Sequence, residues 1–339
     1  MSAFFKAFDQ EEISRYINIR EGEVKFGERV QAPAEDDWLT ELNDSDALFV
    51  WVGIPEDIGV RANGGIGGAQ TAPEAGLKAI LNIQNTERLP GSKLLMLGQF
   101  QFESWMKEAE TANPATLSEI VHQIDIEVAG VIEQIVRAKK IPIVVGGGHN
   151  NCYGLISGTS IALKLPINSV NLDAHSDFRR PEGRHSGNGF RYARQDGYLD
   201  AYAIVGLHEN YNSQEIVNEL KSDSGIHYSC FEDIYVRKVQ SFDVAVRNAF
   251  AHVSDGPTGI ELDLDSIEGM LASAATPSGV PMADARSYAW RAGRECQPAY
   301  LHLTEGVAER RDGLSNPLAG KTIAYLASDF MKGYLDQYR

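Results

Sequence analysis

The sequence predicts an α/β fold, with a central and mostly parallel sheet covered by helices on both faces in three layers. Two observations carry this. Short runs rich in Val, Ile and Leu recur along the chain and end in Gly, Asp or His. Between several of them lie longer stretches with helical spacing, an alternation that parallel sheets require because each crossover is a helix.

The runs come in the order 47–55 (ALFVWVGIP), 93–100 (KLLMLGQF), 141–149 (IPIVVGGGH), 167–175 (INSVNLDAH), 201–208 (AYAIVGLH), 258–266 (TGIELDLDS) and 299–306 (AYLHLTEG). Helical spacing is read at Thr116 to Lys139, Asn151 to Leu163, Val239 to Val253, Met282 to Cys296 and Thr322 to Tyr338. Residues 1–45 read as a lead-in packed on the domain, and 46–339 as one domain. A glycine-rich stretch at 56–75 carries GGIGGA, which lacks the spacing of a dinucleotide fingerprint and reads as a substrate-facing or flexible loop.

Composition narrows the function. A formal net charge of −16 and a pI near 4.9 argue against a nucleic-acid partner, since phosphate binding needs clustered Lys and Arg. Three widely spaced cysteines, Cys152, Cys230 and Cys296, fit reduced thiols. The first residues form no apolar leader and no run reaches about 18 apolar residues, so the expectation is a cytoplasmic protein that neither spans nor anchors in a membrane.

The chemistry is concentrated where strands are expected to end. The stretch VNLDAHSDFRR, 170–180, delivers Asp173, His175 and Asp177 at alternating positions, which share a face if the backbone stays extended. Two carboxylates so placed repel each other unless a cation lies between them. His149 follows GGG, and Asp263 and Asp265 sit in ELDLDS. In open parallel sheets, ligands bind beyond the carboxyl ends of strands. The two imidazoles and four carboxylates therefore suit a pair of divalent ions, in a thiol-free donor set that favours Mn2+ over structural zinc.

GGGH at 146–149, DAHSD at 173–177 and ELDLDS at 261–266 resemble the three metal-binding signatures of the arginase or ureohydrolase family, from about residue 48 to the C-terminus. The resemblance implies a three-layer α/β/α fold, two Mn2+ ions per chain and hydrolysis of a linear carbon–nitrogen bond in a guanidine or amidine. It assigns His149, Asp173, Asp177 and Asp263 to one ion, and Asp173, His175, Asp263 and Asp265 to the other, with Asp173 and Asp263 bridging. Asp177 would carry a proton to the leaving nitrogen, Glu305 would orient the cationic nitrogens, and His185 is a candidate proton shuttle.

Within the family the chain is most like the formimidoylglutamase branch. Arg179 stands where arginases carry an asparagine, and a guanidinium there favours an anionic amino-acid substrate. Ser186 and Asn188 resemble the family's Ser-Gly-Asn substrate loop, and Arg191 is expected to meet a second carboxylate. Two departures stand out: Asn150 follows His149 where an acid or serine is usual, and no Asp-Pro closes the third signature. His208 and 273–281 are further candidates for the pocket wall. The resemblance also implies a homo-oligomer, a trimer or hexamer.

Overall fold

The structure, a computed structural model, describes residues 2–33 and 37–338. Residues 1, 34–36 and 339 of the two spans expected from the sequence lie outside the described residues. Among the described residues, nine strands form one sheet: β1 (Phe5–Ala7), β2 (Phe49–Gly53), β3 (Leu94–Phe100), β4 (Ile141–Val145), β5 (Ile167–Leu172), β6 (Leu199–Leu207), β7 (Ile226–Cys230), β8 (Thr258–Asp263) and β9 (Pro298–Thr304). Their order is β1-β3-β2-β4-β9-β8-β5-β6-β7. All pairings are parallel except that of β1 with β3. All seven apolar runs become strands.

Two strands have no counterpart among those runs. β1 is three residues long and comes from the lead-in, which thus extends the sheet instead of only lying on it. β7, Ile-His-Tyr-Ser-Cys, is an edge strand and only partly buried, so it carries no apolar run.

Because successive side chains of a strand point to opposite faces, each strand feeds two cores. Phe49, Trp51, Ile143, Val170, Ile260 and Leu301 join one core with the helices Ala72–Leu81, Phe242–His252, Met282–Glu295 and Ala319–Leu335. Val50, Val52, Val144, Ile204 and Tyr300 join the other with the helices Pro114–Arg137 and Cys152–Leu163. The Pro114–Arg137 helix has clear signals: Asn113 caps it by accepting from the Thr116 amide at 3.0 Å, Pro114 opens it, and Leu117, Ile120, Val121, Ile124 and Val128 form its buried stripe. The Ala72–Leu81 helix starts inside the stretch expected to be a glycine-rich loop. Among the described residues no helix is long and apolar enough to cross a membrane.

Strands β4, β9, β8 and β5 stand side by side in the sheet. They are mutually parallel, so the segments leaving their carboxyl ends are forced together along one edge.

Candidate metal centre

After β4 the chain turns through Gly146 and Gly147 at φ +91° and +77°. A Cβ at Gly146 would lie 2.4 Å from Pro73 Cγ, so both conformation and space require glycine there. The buried Glu56 carboxylate clamps the turn by accepting from the Gly148 amide at 3.0 Å, Asn151 Nδ2 at 2.6 Å and the Ile58 amide at 2.6 Å. Burial pushes the Glu56 carboxyl up from its ordinary value. The turn delivers His149, fully buried, to the centre of the sheet edge.

Around His149 Nδ1 lie three carboxylate oxygens: Asp177 Oδ2 at 2.9 Å, Asp263 Oδ2 at 3.1 Å and Asp173 Oδ2 at 3.3 Å. A ring nitrogen carries at most one hydrogen, so it cannot satisfy three acceptors. A cation among them can. A second group forms from Asp173, His175 and Asp265, with His175 Nδ1 3.2 Å from Asp265 Oδ2 and 3.6 Å from Asp173 Oδ1. Asp265 Oδ1 is buried and has no hydrogen-bond partner among the described residues. Such an orphan costs about 1–3 kcal/mol unless an ion takes it. The donor set, carboxylates and imidazoles without thiols, fits two hard or borderline divalent ions.

The local backbone differs from the extended stretch expected at 173–177. β5 ends at Leu172 and the ligands occupy a bend, with Asp177 at φ +44°. Asp173 folds back to accept from the His175 amide at 2.7 Å, which brings His175 round toward Asp265. Asp263 holds the Asp265 amide with Oδ1 at 2.8 Å and offers only Oδ2 to the His149 group. Asp263 is not among the residues grouped with His175, so the structure gathers three of the four ligands expected for that ion.

The electrostatics follow from burial. Burial would lower the His149 pKa, but the carboxylates of Asp173, Asp177, Asp263 and Glu261 around the ring raise it well above the usual imidazole value. Burial and the charge of Asp173 raise Asp177, and burial with Asp265 and Asp173 raises Asp263. Without an ion, protons do the neutralising. Glu305, at φ +58° after β9, accepts from the His149 amide at 2.9 Å, and burial and the Asp265 charge push it up to about 8.

A cleft of about 340 Å³ opens onto this cluster. His175, Asp177, Asp263, Asp265 and Glu305 face it, and Asn63, Arg179, Ser186, Tyr211, Asn212, Ser273 and Ala274 line its walls. The glycine-rich loop contributes Val60, Gly64 and Gly65, in keeping with a cleft-facing role. Arg179 donates to Asn63 Oδ1 at 2.6 Å and to Glu182 Oε1 at 2.5 Å.

Four expected residues are placed elsewhere. Arg191 pairs with Glu219 and lies over the Phe178 ring, 4.5 Å from its centroid, because the helix Gly189–Gln195 turns it away from the cleft. Asn188 is fully buried, accepting from Arg184 Nη1 at 2.7 Å and donating to the Gly183 carbonyl at 2.7 Å, so it braces its own loop. His185 lines a separate depression behind Asn63 and Arg179, and its Nδ1 accepts from the Gly187 amide at 3.1 Å. His208 is buried in a stack between Tyr211 and Phe231 and does not line the cleft. Asn150 turns to the Glu56 clamp instead of the ligands. Cys152 is buried, and burial pushes its thiol well up, as befits an inert core group.

Several functional neighbours carry no sequence signal. Tyr211 and Asn212 sit in a loop with no motif, and only the order of strands brings them to the cleft; Asn63 lies in the glycine-rich stretch but is not singled out there by any motif. Glu261 stands inside ELDLDS without being an expected ligand, and it is fully buried.

Comparison with known proteins agrees with this geometry. The chain is 30% identical over 203 residues to the formimidoylglutamase of Hahella chejuensis, covering 57% of this chain and 55% of that one. It is 26% identical over 211 residues to the formimidoylglutamase of Streptococcus pyogenes, covering 58% and 59%. These matches thus span little more than half the length of the curated relatives. In fold, it matches the Bacillus subtilis formimidoylglutamase with a TM-score of 0.75 at 15% identity, covering 93% of each chain. It matches a Trypanosoma cruzi formiminoglutamase structure with Mn2+ at 0.70 and 21% identity, covering 87% of this chain and 97% of that one. The family model described as the arginase family matches residues 47–291, most of the chain and all six candidate ligands, and the chain belongs to that family.

Proposed function

We propose that the chain is a metal-dependent hydrolase that cleaves N-formimidoyl-L-glutamate with water to L-glutamate and formamide. One observation carries the choice of substrate: Arg179, a guanidinium, stands on the wall of a cleft whose floor is otherwise carboxylates and imidazoles. The formimidoylglutamase relatives support the same reading.

His149, Asp173, Asp177 and Asp263 would hold one Mn2+, and Asp173, His175 and Asp265 the other, with Asp263 close by. When bound, such a pair lowers the pKa of water toward neutrality and polarises the amidine. The chain's own residues do the rest. Glu305, at the floor of the cleft, orients the cationic amidine nitrogens. Asp177 holds the proton of the attacking water and delivers it to the leaving amine. Arg179 takes a substrate carboxylate by two parallel N–H contacts once it releases Glu182. Ser186 and Asn63 complete that wall. A cytoplasmic, homo-oligomeric enzyme is part of the proposal.

One observation favours a second reading, a guanidine-directed hydrolase that releases urea. With Arg191 turned away, Arg179 is the one cationic side chain lining the cleft among the described residues, and Glu182 partly offsets its charge. The test is a panel of formimidoylglutamate, arginine, agmatine, guanidinobutyrate and guanidine assayed with Mn2+. Formamide from the first alone is expected. Arg179→Asn should raise KM for formimidoylglutamate about 10- to 100-fold, the loss of a charged hydrogen-bonded pair worth about 1.5–3 kcal/mol. Urea from a guanidine, or an unchanged KM in the variant, would overturn the assignment.

A further inference from the structure

Beneath the ligands, a row of three buried polar side chains crosses the sheet. The strand register aligns Asn171 of β5 with Glu261 of β8, and Glu261 with His302 of β9. Two residues further along β8 and β9, Asp263 aligns with Thr304 at the sheet's carboxyl edge. Alternate residues share a face, so the row lies one level below the ligands on the same side of the sheet. All three side chains are fully buried, on the face where Val144 and Ile204 are core residues. A polar row in such a layer is costly unless each member has a task.

Each member is in fact connected upward or sideways. Asn171 Nδ2 donates to Asp173 Oδ2 at 2.9 Å. Glu261 uses both oxygens: Oε1 accepts from the Tyr300 hydroxyl at 2.7 Å, and Oε2 lies 2.7 Å from His302 Nδ1 and 3.4 Å from His149 Nε2. That His149 nitrogen is buried and has no hydrogen-bond partner among the described residues, with Glu261 Oε2 the carboxylate oxygen beside it. Gly259 leaves the room for Tyr300, since a Cβ there would lie 2.3 Å from the hydroxyl oxygen.

We infer that Glu261 is a positioning residue for the metal centre: it takes the Nε2 hydrogen of His149, which leaves the Nδ1 lone pair facing Asp173, Asp177 and Asp263, while His302 and Tyr300 hold the carboxylate in place. The reason is geometric. With the hydrogen on Nδ1, the ring would present a donor where three carboxylates already converge, and no ion could use it. With the hydrogen on Nε2, Glu261 is the acceptor within reach. A carboxylate that orients a metal-bound imidazole in this way is a general device, and its loss typically weakens metal binding 10- to 100-fold. The inference rests on the proposed metal centre.

The two ligand groups at the sheet edge make the test asymmetric, because His149 belongs to one of them and not to the other, while a third cluster that could hold an ion joins His149 to Glu261 and His302. Mn2+ is titrated into metal-free wild type and Glu261→Gln, followed by calorimetry and by the electron paramagnetic resonance of free Mn2+, with the melting temperature of each metal-free protein recorded alongside. Wild type should bind two equivalents. Glu261→Gln should weaken one step about 10- to 100-fold, leave the other step unchanged and melt close to wild type without metal. Tyr300→Phe, which removes only the hydroxyl donor to Glu261, should weaken the same step by less, and it decides the matter if Glu261→Gln does not fold. Equal weakening of both steps, no weakening of either, or a third wild-type equivalent lost on substitution would overturn the inference. Failure of wild type to bind two ions would sink the metal centre itself.

Discussion

At the scale of single residues, His185 shows how placement changes a role. Its ring is buried, and burial together with the nearby Arg179 brings its pKa down to about 4, against the partly compensating Glu182. The unfolded chain titrates near 6.5, so as pH falls from there the unfolded state takes up the proton first. Stability from this residue is therefore present above about pH 6.5 and is lost as pH falls toward 4. Replacing it should remove that slope. Melting temperatures of wild type and His185→Gln at pH 7.5 and pH 5 are expected to differ less in the variant, and parallel curves would show that the ring is not held neutral. Arg191 carries the same lesson: the sequence shows a cation near a substrate loop, while the direction of the Gly189–Gln195 helix decides that it meets Glu219.

Elements are more legible in the sequence than the contacts between them. Apolar runs and polar strand ends give β2 to β6, β8 and β9, because burial on both faces leaves a continuous signature. The three strand ends that carry ligands, and that of β9 with Glu305, are readable for the same reason. β7 and the three-residue β1 leave no such signature, and the bend before Asp177 is held by Ser176, whose amide donates to Asn212 Oδ1 and whose carbonyl accepts from the Tyr202 hydroxyl, contacts that spacing does not encode. Helix packing is hidden too. The Met282–Glu295 and Ala319–Leu335 helices touch through Gly293 and Gly333, where an added Cβ would lie 2.2 Å from the Phe330 carbonyl and 1.9 Å from the Trp290 carbonyl. Backbone oxygens cannot step aside as a side-chain end can, so Gly333→Ala should push the helices apart and cost about 1–3 kcal/mol. The expected result is a lower melting temperature with kcat/KM of the metal-loaded enzyme intact, since the contact involves none of the cleft residues. An unchanged melting temperature would show that the helices separate freely.

At the scale of the whole molecule, the arrangement of charge links stability to metal. The chain is strongly acidic, yet four of its carboxylates, Asp173, Asp177, Asp263 and Asp265, are gathered at one sheet edge and nearly all buried. Two divalent ions balance four carboxylates when both imidazoles are neutral. Folding brings these groups together, and the unfolded chain has no such site, so binding energy becomes folding energy. At a free Mn2+ concentration 100 times the dissociation constant, each site adds about 2.7 kcal/mol. A chain of this size gains roughly 2 °C per kcal/mol. Removing the metal with a chelator should thus lower the melting temperature by on the order of 10 °C, and restoring Mn2+ should recover it. In Asp265→Asn, which removes one charge from the group that holds His175, the recovery on adding Mn2+ should be about half as large. Equal melting temperatures with and without chelator would show that the buried carboxylates are neutralised by protons alone, and that this edge of the sheet is not a metal centre.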